Sequence, residues 1–336
     1  MKILILGSDG FIGYHLTSSI LQDSRFDDVS IVGVDLYKTR TNMIPADSRF
    51  TFYQGDIIKD RDLVDKLINE CDVILPFVAI ATPKSYVEKP LTVFELDFEE
   101  NLRIIKLAHK LDKRVIFPST SEVYGKGEIP FDEEKTDLVY GPIKYSRWIY
   151  ACSKQLLDRV IFAMNQKDKF RFTLFRPFNW EGPYLDSLQA SESGSSRLIT
   201  QLIDDAIYKN YVTLVDGGNQ KRCFTDVRDG VEALKLILLN EEKSNGQIFN
   251  VGNPLNNLSV KEVATQLVDK LKQRNLTAEI AEIRVQPSSE FYGEGYEDVS
   301  TRVPSIENLR NTLGWNPIYS FEESLETILD TIVIQK

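Results

Sequence analysis

The 336 residues make up about two average domains, or one large α/β unit with a smaller appendage, so the chain can bury a sizeable core without disulfide staples. With 42% apolar and 27% charged residues, 18 Gly and 13 Pro, the composition excludes a disordered, collagen-like or low-complexity chain. The formal net charge of −10 argues against a nucleic-acid partner, because gripping a phosphate backbone takes a cationic surface.

In chain order, the first half alternates short apolar runs with stretches of helical period, the pattern of a parallel sheet covered on both faces. Residues 2–6 (KILIL) read as the first strand. The apolar run stops after Leu6, too soon for a signal peptide, and no later run approaches a membrane span, so a cytoplasmic protein is expected. A helix near 11–22, strands at 29–35 and 50–54, a helix at 60–69 and a strand at 72–78 follow. Next come a helix over 92–111, a strand at 114–118, a helix over 147–166 and a strand at 171–176. Beyond Pro183, the segment Leu185 to Ser196 is polar and Ser-rich, which suits a mobile loop over a cleft. The remainder reads as helix 197–208, strand 211–215, helix 227–240, strand 247–251, helix 259–274, an irregular stretch 284–304 and a closing helix near 321–334. There is no internal repeat and no long linker.

Cys71, Cys152 and Cys223 lie far apart with no CxxC, which indicates neither a disulfide framework nor a thiolate metal site. The two histidines, His15 and His109, fall in separate helical segments and read as packing or surface residues. A histidine zinc site and a Ser-His-Asp hydrolase are thereby disfavoured, and no metal is expected.

Gly7-Ser8-Asp9-Gly10-Phe11-Ile12-Gly13 follows the first strand and opens a helix. Glycines at these positions permit a tight turn, close approach to a pyrophosphate and close helix packing. Asp35 ends the second strand 22 residues beyond Gly13, where a carboxylate bonds an adenosine ribose and repels a 2′-phosphate. NAD is therefore expected rather than NADP. Asp56, ending the third strand, suits either an adenine-edge contact or a strand-end cap. The expected fold is α/β: a Rossmann-type doubly wound parallel sheet with a smaller C-terminal α/β substrate-binding lobe. The NAD-binding domain is placed at 1–180, completed by returning segments near 220–255, and the substrate lobe mainly at 181–336.

A nicotinamide enzyme without a usable histidine needs another proton carrier, and a Tyr made acidic by a Lys one helical turn away can serve. Two Tyr-x-x-x-Lys matches occur. Tyr140/Lys144 contains Gly141-Pro142, which breaks helical geometry, whereas Tyr150-Ala151-Cys152-Ser153-Lys154 runs on without a breaker and puts both side chains on one face. Thr120, after the fifth strand, lies where doubly wound sheets bind ligands and can share the substrate oxygen with Tyr150. Its other reading is a strand-end cap.

Glycine loop, Thr120 and the Tyr150/Lys154 pair together resemble the extended short-chain dehydrogenase/reductase family. The blocks Leu75 to Pro83, Phe94 to Asn101, Pro118 to Gly125, Arg147 to Tyr150, Phe175 to Trp180 and Gln220 to Asp226 narrow the likeness. They resemble the UDP-glucuronic acid decarboxylase (dehydrogenase) domain of the bifunctional polymyxin-resistance protein ArnA, without its formyltransferase domain. The resemblance implies NAD held by Gly7, Asp9, Gly10, Phe11, Ile12, Gly13, Asp35, Asp56, Ile57, Leu75, Ala79 and Lys154. It implies UDP-glucuronate or a related nucleotide sugar held by Tyr86, Arg147, Asn179, Arg197, Lys221, Arg222, Tyr296 and Arg302, with Tyr150, Lys154, Thr120, Ser121, Glu122 and Arg302 at the reacting centre. It also implies a homodimer formed through helices 92–111 and 147–166.

Nucleotide-sugar members of the family share oxidation at C4 and differ afterwards, so Thr120-Ser121-Glu122 is the informative triplet. A 4,6-dehydratase has Asp-Glu here, and Ser121 is a far poorer acid than Asp. With UDP-glucuronate, oxidation at C4 gives a β-keto acid that loses CO₂, its enolate oxygen resting between Tyr150 and Thr120. By the resemblance, Arg302 anchors the carboxylate bidentately before that loss, and Ser121 or an ordered water afterwards reprotonates C5. The product expected is UDP-4-keto-pentose, UDP-xylose or both. A 4-epimerase, a UDP-apiose/xylose synthase and a non-catalytic dinucleotide sensor are the alternatives.

Overall fold

The computed structural model describes residues 1–188, 196–209, 211–276 and 282–332. In the first half, β1 (Lys2–Leu6), α1 (Phe11–Gln22), β2 (Ser30–Asp35), β3 (Phe50–Gln54), α2 (Arg61–Glu70) and β4 (Val73–Pro76) are followed by α3 (Pro83–Glu88) and α4 (Pro90–Phe94). A π-helical segment, Glu95–Glu100, leads into α5 (Asn101–Lys110), and then β5 (Arg114–Pro118), α6 (Trp148–Asp168) and β6 (Phe172–Pro177) complete this part. The second half contains β7 (Trp180–Glu181), α7 (Leu198–Asp204), β8 (Tyr211–Val215), β9 (Lys221–Cys223), β10 (Thr225–Asp226), α8 (Val227–Leu239), α9 (Glu241–Ser244) and β11 (Gln247–Val251). It ends with β12 (Asn257–Ser259), α10 (Val260–Gln273), β13 (Glu282–Gln286), α11 (Ser288–Tyr292), β14 (Thr301–Arg302), α12 (Glu307–Leu313) and α13 (Phe321–Asp330).

Seven parallel strands form the main sheet in the order β3-β2-β1-β4-β5-β6-β11, so the Rossmann-type doubly wound architecture is present. The alternation of strand side chains explains why both faces are covered. Ile3 and Ile5 point to one face, where α1 and α8 bury Leu16, Ile20, Leu234 and Ile237 against them. Leu4 and Leu6 point to the other, against Val64, Leu67, Ile104, Ile105, Leu157 and Ile161 of α2, α5 and α6. Removing any one of these fully buried side chains, as in Leu4→Ala, is worth about 2–5 kcal/mol. A separate core in the second half packs α7, α10 and α13 around Val212 and Leu214 of β8.

Two sequence expectations need correction. The helix read over 92–111 is broken into α4, the π-helical segment and α5; the Asn101 amide bonds the Leu96 carbonyl at 2.9 Å there, and Asp97 and Glu100 turn inward. The stretch read as irregular over 284–304 holds β13 paired in parallel with β8, then α11, and β14 paired with β9. Their lengths of two to five residues are too short to show a period in sequence. Of the loop expected over Leu185 to Ser196, residues 189–195 lie outside the described residues, as do 333–334 of the closing helix.

The segment before α13 is tied to α8, which packs on the main sheet, by Asp229, whose carboxylate accepts from the Ile318 and Tyr319 amides at 3.0 and 3.2 Å. Its own carbonyl accepts from the Trp315 indole N–H at 3.0 Å.

Candidate active site

At the carboxyl end of β1 the chain turns through Gly7, whose φ of +91° lies in the region that favours glycine. A Cβ on Gly13 would stand 2.3 Å from the Gly7 carbonyl oxygen, so only glycine lets α1 begin this close to the turn. Gly10 and Phe11 complete the helix start, and Ile12 packs on the core cluster under the sheet. Asp35, half-buried at the end of β2, accepts the Asp9 amide at 2.9 Å; burial pushes its carboxyl up, against the lowering pull of that hydrogen bond. Asp9 is buried and accepts from the Thr39 and Thr41 amides at 2.9 and 2.6 Å, pinning the loop that follows β2. This cradle fits the pyrophosphate and ribose of a dinucleotide.

Other residues assigned to the cofactor have mixed placements. The Ile57 and Leu75 side chains are core residues, and Ala79 is half-buried in the segment after β4. Asp56 closes a turn of its own, accepting the Ile58 amide at 2.8 Å and pairing with Lys59 at 3.7 Å. Arg40, which sequence reading passed over, donates to the carbonyls of Asp9, Tyr184 and Leu185 at 3.0, 2.8 and 3.1 Å.

The first turns of α6 carry Tyr150 and Lys154 on one face, both buried. The Tyr150 ring lies flat on Tyr86 of α3, with centroids 4.6 Å apart and planes 5° off parallel. Thr120 hydrogen-bonds the Tyr150 phenol, and its Oγ1 also accepts the Glu122 amide at 3.2 Å, as in the cap reading. Burial raises the Tyr150 phenol well above its ordinary range, and the Asp97 and Glu122 charges add to that. The expectation that Lys154 acidifies this phenol is therefore corrected for the protein alone. The ammonium sits 6.0 Å from the Tyr150 ring centre, 3.5 Å from Asp97 and 3.3 Å from the Pro118 carbonyl. Burial pulls the Lys154 pKa down, while Asp97 and Asp158 hold it up.

Above this pair, Ser121 and Glu122 open the single turn Ser121–Tyr124 after β5. Glu122 is clasped by two guanidiniums, Arg147 Nη2 at 2.6 Å and Arg302 Nη1 at 3.4 Å. Arg147 also donates to the Glu297 carbonyl at 2.8 Å and lies over the Tyr296 ring at 5.2 Å. Parallel pairing of β9 with β14 sets Arg222 directly beside Arg302. Asp298 pairs with Arg222 at 2.5 Å and with Arg302 at 3.9 Å. Burial raises the Asp298 carboxyl, but Arg222, Arg302 and Arg147 outweigh it and hold the group below its ordinary range.

A cleft of about 240 Å³ brings together Glu122, Arg147, Asn179, Arg197, Arg222, Tyr296 and Arg302. Asn179 holds its left-handed position, φ 40°, with its carbonyl bonded to the Thr225 amide. Arg197 is braced by Asp186 at 2.7 Å. Lys221 is the correction here: it neighbours Arg222 on β9, where alternation turns its side chain outward, and it is exposed rather than part of the cleft wall. His15 bonds the Pro183 carbonyl at 2.9 Å and His109 pairs with Asp168 at 3.5 Å, both away from Tyr150. Among the described residues no cluster of His, Cys, Asp or Glu could hold a metal ion, and no helix is long and apolar enough to cross a membrane.

A glycine-turn dinucleotide cradle, a buried Tyr/Lys pair and a polar cleft at the carboxyl edge of a doubly wound sheet define a nicotinamide-dependent enzyme. Residues 3–252 match the NAD dependent epimerase/dehydratase family, and the chain belongs to that family, with NAD as its cofactor. It is 44% identical to the PbgP3 protein of Burkholderia pseudomallei, whose crystal structure matches with a TM-score of 0.87 over 98% of this chain and 95% of that one. The fold is shared with dTDP-glucose 4,6-dehydratase of Bacillus anthracis, at 21% identity and TM-score 0.79 over 98% and 96% of the two chains. It is shared as well with UDP-glucuronic acid 4-epimerase of Bacillus cereus, at 21% identity and TM-score 0.81 over 98% of each.

Proposed function

We propose that this enzyme oxidises UDP-glucuronate at C4 and releases the C6 carboxylate as CO₂, giving UDP-4-keto-pentose, UDP-xylose or both. The observation that carries the reading is the charge count in the cleft: among the described residues, Arg147, Arg222 and Arg302 pair there with the carboxylates of Glu122 and Asp298, which leaves one buried positive charge for a uronate carboxylate. NAD, when bound in the glycine cradle, supplies the hydride acceptor. Tyr150 holds the proton of the C4 hydroxyl, and Thr120, already bonded to that phenol, stabilises the oxygen as it gains charge. Lys154 with Asp97 keeps a positive charge under the phenol. Arg302, with Glu122 and Ser121 nearby, anchors the carboxylate until the C5–C6 bond breaks, and Ser121 or a water then returns a proton to C5.

Domain roles follow: residues 1–180 with the returning segments to about 255 bind NAD, and the remainder closes over the sugar nucleotide. A homodimer through the helical segments 92–111 and 147–166 is part of the reading, supported by Leu156 and Phe162, apolar yet 45% and 44% exposed on α6. The test is incubation with UDP-glucuronate and NAD, following reduced-cofactor absorbance and CO₂ while NMR identifies the nucleotide sugar. CO₂ matched by a UDP-pentose is the result expected. Recovery of UDP-galacturonate without CO₂ would assign the protein as a 4-epimerase instead.

A further inference from the structure

Three acids line the cleft, and two of them, Glu122 and Asp298, each stand against arginines. The third, Glu181 at the end of β7, is 1% exposed and neither of its carboxyl oxygens has a hydrogen-bond partner. Burying two unmet oxygens is unfavourable unless something else bonds them. Its strand partner is another acid, Asp226, set directly opposite it by the pairing of β7 with β10. Asp226 is itself occupied by Arg228 at 2.7 Å and the Ser324 hydroxyl at 2.7 Å, and offers Glu181 nothing.

We propose that Glu181 is a recognition residue for the nucleotide moiety of the substrate, its carboxyl group giving a hydrogen bond to an acceptor oxygen there. The proposal rests on the nucleotide-sugar reading above for the ligand class, though not on decarboxylation. Burial, and then the Asp226 charge, push the Glu181 carboxyl well above the ordinary range, toward the neutral form that has an O–H to donate. Its place in the cleft sets the ligand portion. Glu181 lines it together with Arg197, Gln201, Thr213 and Gln220, whereas the acids Glu122 and Asp298 are taken up by Arg147, Arg302 and Arg222. A neutral acid suits this wall, because an ionised one would oppose the phosphates that Arg197 attracts.

The experiment titrates UDP into the NAD-loaded wild type, Glu181→Met and Glu181→Gln, with NAD affinity and melting temperature measured on each. Glu181→Met, which removes donor and acceptor at nearly constant volume, is expected to weaken UDP about tenfold, the scale of one buried hydrogen bond. Glu181→Gln keeps a neutral donor and is expected to bind within about threefold of wild type. NAD affinity stays unchanged in both, and Glu181→Met melts no lower than wild type, because it removes the two unmet oxygens. Equal UDP binding by Glu181→Met and wild type overturns the proposal, as does loss of NAD binding in place of UDP binding. A Glu181→Gln variant as weak as Glu181→Met overturns the donor role. Should Glu181→Met not fold, Glu181→Leu takes its place under the same criteria. A wild type that binds UDP and releases no CO₂ ends the decarboxylase reading while leaving this one standing; a wild type without affinity for UDP ends both.

Discussion

The Lys154 ammonium stands 3.5 Å from an Asp97 carboxylate oxygen, and both side chains are withdrawn from solvent. The other Asp97 oxygen accepts the Ile80 amide at 3.0 Å, and burial pushes this carboxyl up to about 6. Asp97 is therefore a positioning residue that acts through Lys154. In Asp97→Asn the lysine loses the stronger of the two charges that hold it protonated, so its pKa falls further. The expected result is a kcat lower by about 10–100-fold, an alkaline limb of the pH–rate profile displaced to lower pH, and a KM nearly unchanged. An unmoved alkaline limb would mean that Lys154 takes its charge from Asp158 alone.

Tyr150→Phe keeps the stack on Tyr86 and removes only the hydroxyl that Thr120 bonds. Turnover is expected to fall by at least about 10³-fold, within the range of a general acid–base group, with NAD affinity unaltered. Stopped-flow turnover and cofactor titration check the two halves separately. Full activity in this variant would move the proton carrier elsewhere.

Arg302→Lys keeps a charge near Glu122 and loses the planar fork that grips a carboxylate by two hydrogen bonds. The KM for UDP-glucuronate is expected to rise about tenfold or more, while affinity for UDP, which has no carboxylate, stays within about twofold. Equal losses for both ligands would show that Arg302 holds the phosphates.

Gly13→Ala puts a methyl group 2.3 Å from the Gly7 carbonyl oxygen and 2.8 Å from the Ser8 Cα, backbone atoms that cannot swing aside. The glycine turn must open, and NAD affinity is expected to fall more than about tenfold with a smaller change in UDP binding. Isothermal titration with each ligand distinguishes this from general unfolding.

Asp229 gives a pH-dependent stability term. Burial lifts its folded-state pKa to about 6, above the unfolded value, although the Ile318 and Tyr319 amides pull it down. The folded protein thus holds this proton more tightly. The contribution is complete below the unfolded pKa and is lost as pH rises through about 6. Relative to Asp229→Asn, wild type should lose melting temperature across that interval, on top of a constant offset because the amide accepts with one oxygen only. Parallel pH curves for the two proteins would remove Asp229 from this role.

Much of the site was legible because its chemistry sits on long elements. Tyr150 and Lys154 declare their shared face through helical spacing, and Gly7, Gly13 and Asp35 through their distance from buried strands. Asp97 was invisible as a partner of Lys154, since an ordinary helix over 92–111 does not turn it inward as the π-helical segment does. Glu181 and the Arg222/Arg302 pair lie on strands of two or three residues, too short to show alternation, and the same brevity hid the outward turn of Lys221. Arg40 carried no signal, because its three acceptors are main-chain carbonyls set by the fold.

The two acids of the cofactor cradle have one further consequence, for redesign. Asp9 fastens the turn after β2 while Asp35 holds the amide of Asp9. Neutralising Asp35 alone would leave a second anion beneath the same rim and release one anchor of the turn that carries it. Conversion to a phosphorylated cofactor therefore calls for rebuilding the whole turn from Asp35 to Thr41, and a single exchange should yield an enzyme weakened toward both dinucleotides.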